Sequence, residues 1–465
     1  MDSGFVKYLE DAVGTEVAAG ILHALGREPS VSLRYNPSKI PYMVPGWPGE
    51  GTGNPGYARV PWNGYAFMLE ERPVFTFDPY FHAGAYYVQD SSAMYVGEVF
   101  RKCLDEIGCG IAGRPVRVLD LCAAPGGKTT DIAASLRERF GENFILVSNE
   151  VMRGRVGILA DNVSVWGDPN VMVTNADPAA FAALEGYFDI IVADVPCSGE
   201  GMFRKDASAA EQWSEDNVSL CQARQRRIVA DVWPSLRADG IMIYSTCTFN
   251  RYENDGNVQW ICEALGAGEV SVRDGGPDEI LRTRFGFLLL PGRVPGEGQY
   301  CAAVRKGGHQ VPDRFSGHGV RLHRARSAVN MKGLEGYFRT EVSFRSRGGL
   351  VIAVPAAVSE CTDCVSSAVR TVQTGCAVGE MKGGNLVPSA DLALSIVLEE
   401  DAFPRVDLDR EKALAYLHRD AICIDDAPKG YLKVCYGGLP LGFVKNLGPR
   451  CNNLYPQSRR IRIDV

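Results

Sequence analysis

Five short runs of the chain are almost continuously apolar, rich in Val and Ile, and bounded by turn residues: VRVLDLC (116–122), NFILVSNE (143–150), NVMVTNAD (170–177), FDIIVADV (188–195) and GIMIYSTC (240–247). A strand that is apolar on both sides must be covered on both faces, the condition of a parallel sheet sandwiched between helices. The stretches between them supply those helices, for example GKTTDIAASLRERF (127–140) and CQARQRRIVADVWPSLR (221–237). Two further runs, FGFLLLP (285–291) and QYCAAVRK (299–306), close the unit. The pattern over 115–306 therefore predicts a doubly wound α/β domain whose ligand lies at the carboxyl ends of its strands.

A chain of 465 residues exceeds one ordinary core, so further modules are expected. The opening MDSGFVKYLEDAVGTEVAAGILHALG reads as an acidic amphipathic helix and lacks the basic start and apolar core of a signal peptide. It is followed by NPSKIPYMVPGWPGEGTGNPG (36–56), where Pro and Gly forbid long regular elements. Downstream, a linker containing Gly, Arg and His (307–332) leads to a mixed segment ending near 400. The tail, YLKVCYGGLPLGFVKNLGPRCNNLYPQSRRIRI (431–463), alternates β-like runs with Gly and Asn turns, as a small β-rich module does. The expected division is an α+β region at 1–90, the α/β domain at 91–307, a linker with a mixed α/β domain at 308–400, and the β-rich module at 401–465. No apolar run reaches the length of a membrane span, so no membrane partner and a cytoplasmic location are expected.

The net charge of −7 does not favour a nucleic-acid partner, but the distribution does. Residues 305–347 hold ten Lys and Arg against three acidic residues, and 403–465 hold eleven against seven. Local basic stripes can attract phosphate on an acidic chain, although each stripe alone also fits an ordinary solvated face. The 14 cysteines are scattered and suggest no disulfide framework. Cys361 and Cys364 form one CxxC without a second pair or nearby histidine, so no metal is expected, and SECTDCVSS reads as an exposed loop with two free thiols.

DLCAAPGGKTT (120–130) leaves the first strand and enters a helix. Its glycines let the backbone approach a ligand and its helix start offers free N–H groups. It is neither of the phosphate or dinucleotide glycine patterns, and Pro125 removes a donor that a phosphate cradle would use. Glu150 closes the second strand, where a carboxylate can accept both ribose hydroxyls; Asp177 closes the third and can accept from an adenine amino group; Asp194 closes the fourth. With Asp120, four successive strand ends carry an acid, a pattern that fits an adenosine bearing a short charged tail.

DLCAAPGGKTT, the NE of 149–150 with Arg155, NAD (175–177), DVPCSGEGMFRKD (194–206) and YSTCTFNRYEN (244–254) occur in order and on the expected elements. Together they resemble the RNA cytosine-5 methyltransferases of the RsmB/RsmF/NSUN family. GEGMFRKD and GFVKNLGPRCNNLYP (442–456) resemble its bacterial RsmF branch, and YYVQDSSAMYVGEVF (86–100) resembles the segment preceding the family's catalytic sheet. The resemblance implies a Rossmann-like class I methyltransferase domain using S-adenosyl-L-methionine, a small N-terminal RNA-recognition domain and a C-terminal PUA-like RNA-binding module. It implies cofactor contacts from Cys122, Ala123, Ala124, Pro125, Gly126, Gly127 and Lys128, and from Glu150, Arg155, Asp177 and Asp194. The implied substrate is 16S rRNA near the decoding region, free or in the small ribosomal subunit.

Two thiols fit that chemistry. C5 of cytosine is a poor nucleophile until a thiolate adds to C6 and makes it enamine-like, after which the C5 proton must leave. A carboxylate at N3 and the exocyclic amine accommodates the positive charge of N3 protonation. Cys247, Cys197 and Asp194 supply two thiols and a carboxylate at neighbouring strand ends. Mechanism alone leaves the roles of the thiols open; the resemblance implies Cys247 as nucleophile and Cys197 as the thiol that assists release. The hydroxyls of Thr246 and Thr248 are candidates to stabilise the Cys247 thiolate, Arg204 and Lys205 to contact RNA, and Phe203 and Tyr244 either to stack on a base or to pack in the core. A tRNA cytosine-5 methyltransferase and a non-catalytic RNA-binding assembly factor are the alternatives, and one site per chain makes a monomer the simplest expectation.

Overall fold

The computed structural model describes residues 2–40, 58–107, 113–272, 277–308 and 333–463. Residues 41–56 of the turn-rich stretch and 309–332 of the linker, with much of the first basic stripe, lie outside the described residues.

The opening helical pattern is divided at Gly14, whose φ of 82° only glycine adopts readily, into α1 (Ser3–Val13) and α2 (Thr15–Leu25). An antiparallel sheet follows, with β1 (Val31–Tyr35) between β2 (Ala66–Leu69) and β3 (Tyr86–Val88), and α3 (Pro79–His82) just before β3. From α4 (Tyr95–Ile107) onward the chain alternates: β4 (Val116–Asp120), α5 (Gly127–Phe140), β5 (Phe144–Asn149), α6 (Arg153–Trp166), β6 (Val171–Thr174) and β7 (Phe188–Asp194). Then come α7 (Ala207–Glu211), α8 (Glu215–Val232), β8 (Leu236–Thr246), α9 (Asp255–Leu265), β9 (Ala267–Glu269), β10 (Leu281–Arg282), β11 (Gly286–Leu289) and β12 (Gln299–Lys306).

The five apolar runs form the parallel core of one sheet in the order β6-β5-β4-β7-β8, and β12, β11 and β10 continue it antiparallel. The chain steps outward from β4 through β6, then returns to lay β7 on the other side of β4. That reversal opens a crevice at the carboxyl ends of β4 and β7, where doubly wound sheets bind ligands. Both faces are covered: along β7, Ile190 and Val192 enter one apolar cluster and Ile191 and Ala193 the other. Each fully buried aliphatic side chain contributes about 1.5–3 kcal/mol.

Helices from outside this segment complete one face. Phe5 and Leu9 of α1, Ile21 of α2, and Cys361 and Val365 of α10 (Ser359–Ala368) share a core with β7 and β8. The CxxC is therefore not an exposed loop. It lies on a helix, with Cys361 buried because Cys361 and Val365 are one turn apart and face the sheet.

Around α10, β13 (Val342–Arg347), β14 (Leu350–Pro355), β16 (Cys376–Lys382) and β17 (Asn385–Pro388) form a second antiparallel sheet, followed by α11 (Ala390–Leu394). Between them β15 (Thr371–Gln373) leaves that sheet and pairs with β6, extending the large one. The C-terminal sheet has the order β18 (Arg405–Asp407), β19 (Gly430–Tyr436), β20 (Leu439–Asn446), β21 (Cys451–Asn453), with α12 (Arg410–His418) packed on it. Three of its and its neighbour's hairpins turn on a glycine pair, 348–349, 383–384 and 437–438, with positive φ at both positions, the geometry of a two-residue type I′ turn.

The amino-terminal end of β7 is fixed by a buried carboxylate. Asp189 accepts from Arg114 Nη1 at 2.9 Å and Nη2 at 2.5 Å and from the Arg117 backbone N–H at 2.8 Å. Removing one partner of such a pair strands the other, so Asp189→Ala is expected to lower folding stability by about 3–5 kcal/mol, read from denaturant unfolding of the full chain. An unchanged midpoint would show that this ion pair carries no stability.

Candidate active site

Parallel pairing of β7 with β8 sets Asp194 opposite Ser245 and brings the loops after both strands together. Cys197 lies three residues beyond β7 and Cys247 one residue beyond β8, and their Sγ atoms are 3.3 Å apart. Asp194 stands beside them: Oδ1 accepts from Ser245 Oγ at 2.8 Å and Gln299 Nε2 at 3.2 Å, and Oδ2 meets Lys128 Nζ at 2.8 Å. The structure thus gathers the two thiols, the carboxylate and a lysine of the glycine-rich turn.

The surroundings of the thiols differ. The hydrogen bond to Cys247, together with burial and the nearby Glu253 carboxylate, raises the Cys197 thiol well above its ordinary range. Burial alone would lower the Lys128 ammonium, but Asp194 outweighs it, and with Cys247 and Asp120 nearby the group is held firmly charged. The charged neighbours of the two thiols therefore differ, Lys128 lying near Cys247 and the Glu253 carboxylate near Cys197.

Two glutamates missed in the sequence reading, Glu200 and Glu253, lie buried behind the thiols, each inside a quoted cysteine stretch. Glu200 Oε2 accepts from the backbone N–H groups of Phe249 at 2.6 Å and Asn250 at 3.1 Å. Glu253 Oε2 accepts from the Ser198 N–H at 3.0 Å and Gln225 Nε2 at 2.6 Å. The available signal was an acid placed among turn and aromatic residues within each cysteine stretch.

In the turn after β4, Gly126 has a φ of 114° and the α5 helix starts at Gly127. Cys122, Ala123, Ala124 and Pro125 form the turn between β4 and α5; Ala123 N–H donates to Asn149 O at 2.8 Å, and Pro125 O accepts from Tyr87 and Asn162. Burial pushes the Asp120 carboxyl up to about 7; its Oδ2 accepts from Thr129, while Oδ1 is buried without a partner. Burial likewise raises the Cys122 thiol. Glu150 lies just past β5, with Oε1 capping the Met152 N–H at 2.8 Å, and Arg155 donates to Ala124 O at 2.6 Å.

Several expected residues sit elsewhere. Asp177 is three residues past the end of β6, half exposed, and caps the short helix at 178–184 through Ala179 N–H. Arg204 is turned inward onto Glu297 at 2.6 Å and the Gly296 carbonyl at 2.7 Å, so it is not presented to a ligand; Lys205, paired with Asp90 at 3.2 Å, is more exposed. Tyr244 is buried, donating to Glu253 O at 2.7 Å, and Phe203 packs on Phe5, so both belong to the core. The Thr246 hydroxyl donates to Asn254 at 2.6 Å and that of Thr248 pairs with Ser198 at 2.9 Å, so both are engaged away from Cys247. A cavity of about 740 Å³ between the N-terminal sheet, α6, Tyr455 and Arg459 contains none of these thiols or strand-end acids.

Comparison with known proteins gives a consistent picture. Residues 114–305 match the family model of 16S rRNA methyltransferase RsmB/F, residues 1–91 that of the N-terminal domain of 16S rRNA methyltransferase RsmF, and residues 403–461 that of the methyltransferase RsmF PUA domain. Ribosomal RNA small subunit methyltransferase F of Klebsiella pneumoniae is 30% identical over 397 residues, which cover 81% of this chain and 78% of that protein. Its counterpart in Pectobacterium atrosepticum is 37% identical over 235 residues, 50% of this chain and 46% of that protein. Among solved structures, a methyltransferase homolog protein from Pyrococcus horikoshii superposes with a TM-score of 0.52 at 24% identity, covering 66% of this chain and 95% of that one. NSun6 from the same organism, solved with SFG, gives a TM-score of 0.51 at 18% identity over 66% and 99%. At these identities the two structures speak for the fold.

The loops are drawn together by Gly201, whose N–H donates to Cys247 O at 2.7 Å. A Cβ at that position would lie 2.7 Å from Cys247 O and 3.0 Å from Glu297 O, both backbone atoms unable to give way. Gly201→Ala is therefore expected to cost about 1–3 kcal/mol and to slow diamide-driven coupling of Cys197 to Cys247. Coupling at the parental rate would contradict this placement of the loops.

Proposed function

The chain belongs to the 16S rRNA methyltransferase RsmB/F family, and we propose that it transfers a methyl group from S-adenosylmethionine to C5 of a cytosine in 16S rRNA, using Cys247 and Cys197 in turn. The observation that carries this reading is the 3.3 Å approach of the two thiols at the strand ends that also hold Asp194.

The strand-end residues fit the cofactor. Asp120 offers a buried unpartnered oxygen, Glu150 closes β5 beside a glycine-rich helix start, and the turn from Cys122 to Lys128 presents backbone groups. We assign Cys122, Ala123, Ala124, Pro125, Gly126, Gly127, Lys128, Glu150 and Arg155 to this side, with Asp177 at its outer rim. When bound, S-adenosylmethionine supplies an electrophilic methyl group.

The residues of the chain do the rest. Cys247, as thiolate, adds to C6 of the cytosine while Asp194, fixed by Ser245, Gln299 and Lys128, faces N3 and the exocyclic amine. Addition places negative charge on C5, which takes the methyl group. Once Cys247 is bonded to carbon it no longer accepts from Cys197, and Cys197 gives its proton to water. As thiolate, Cys197 then takes the C5 proton, the C6–Sγ bond breaks, and Cys247 regains its charge. The balance is one methyl group gained and one proton lost.

The N-terminal and PUA segments bind the RNA in this reading, with Lys205 at the edge of the site, and the reaction takes place in the cytoplasm. Similarity to small-subunit enzymes favours rRNA over tRNA, and the assembled pair of thiols weighs against a non-catalytic assembly factor. The test uses Cys197→Ala and Cys247→Ala with tritiated cofactor, naked 16S rRNA, assembled small subunits and tRNA. Cys197→Ala should accumulate a covalent protein–rRNA adduct on denaturing gels, Cys247→Ala none, and both should lose turnover by about 10² or more. Adduct with the Cys247 variant, or methyl transfer to tRNA alone, would overturn the proposal.

A further inference from the structure

The two cysteine loops are strapped together by the two buried glutamates, and the straps are reciprocal. Glu200, four residues before Arg204 in the loop after β7, reaches across to the backbone of the other loop at Phe249 and Asn250. Glu253, from the loop after β8, reaches back to the Ser198 N–H, next to Cys197. Gln225 of α8 holds the other flank, donating to Pro196 O at 3.0 Å and to Glu253. Asn250 Nδ2 lies between the glutamates, 2.9 Å from an oxygen of each.

We propose that Glu200 and Glu253 are positioning residues of the methyl-transfer reaction, holding Cys197 and Cys247 at hand-off distance so that release can follow attack. The inference rests on the thiol roles set out above. Both side chains are fully buried, and among the described residues the hydrogen bonds to them come from N–H donors: Trp213, Phe249 and Asn250 on Glu200, and Ser198, Gln225 and Asn250 on Glu253. A carboxylate can accept all of these, whereas a glutamine must turn an NH2 group against other donors. Burial raises the Glu253 carboxyl, and the donors around it oppose that rise. A buried carboxylate held only by N–H groups costs more than a neutral packing solution, which a purely structural loop contact would not require.

Glu200→Gln and Glu253→Gln in the full chain test this, alongside Cys197→Ala as control. Cofactor affinity by calorimetry should stay near the parental value, because Asp120 and Glu150 are untouched. Turnover should fall by about 10²-fold, with adduct persisting as in Cys197→Ala. Adding Glu253→Gln to Cys197→Ala should produce little further loss, since the glutamate acts through that thiol. Parental turnover in the Gln variants would overturn the inference and leave the thiol roles standing. So would a loss of turnover matched by loss of cofactor affinity and of the unfolding midpoint, the mark of a structural role alone. A Cys197→Ala control without adduct would remove the thiol roles and this inference with them.

Discussion

Everything at the site depends on the pairing of β7 with β8. Parallel register places Asp194 against Ser245, so that two loops far apart in sequence leave the sheet side by side. A slip of one residue would turn Ile191 and Ala193, buried on one face, toward the other, and both faces are packed. The apolar pattern that makes the sheet parallel and doubly covered thereby also fixes where the thiols meet. The structural core and the chemistry share one constraint.

Charge then differentiates what geometry brings together. Lys128 belongs to the glycine-rich turn, yet its ammonium is bound to Asp194 and lies near Cys247. Glu253 lies on the far side, near Cys197. A single lysine therefore links the proposed cofactor turn to the carboxylate and to the proposed nucleophile. Two chemically identical side chains thus stand in different charge environments, one near a cation and the other near an anion.

Much of this was legible in the sequence because it is local. The five parallel strands follow from continuous apolar runs, and the turn at 122–127 follows from its glycines. What escaped was long-range. Nothing near α10 says that Cys361 and Val365 pack beneath β7, so SECTDCVSS looked like a loop; β15 joins the large sheet only because β6 has a free edge there. Thr246 and Thr248 flank Cys247 in sequence, but successive residues of an extended chain point to opposite sides, and their hydroxyls bond Asn254 and Ser198 instead. Arg204 looked like a ligand contact until the fold brought Glu297 to it. The glycine pairs at 348–349 and 383–384 are the local hairpin signal in the mixed segment, and each joins two strands of its sheet.

The measurement that bears most directly on the central claim is a trap with 16S rRNA carrying 5-fluorocytidine. Fluorine at C5 cannot leave as a proton does, so the covalent adduct stops before release. Digestion and peptide mass spectrometry then identify the sulfur joined to the base. The proposed roles predict attachment at Cys247, with Cys197 free. Attachment at Cys197 would contradict them, and the asymmetry of charge around the two thiols would need a different meaning.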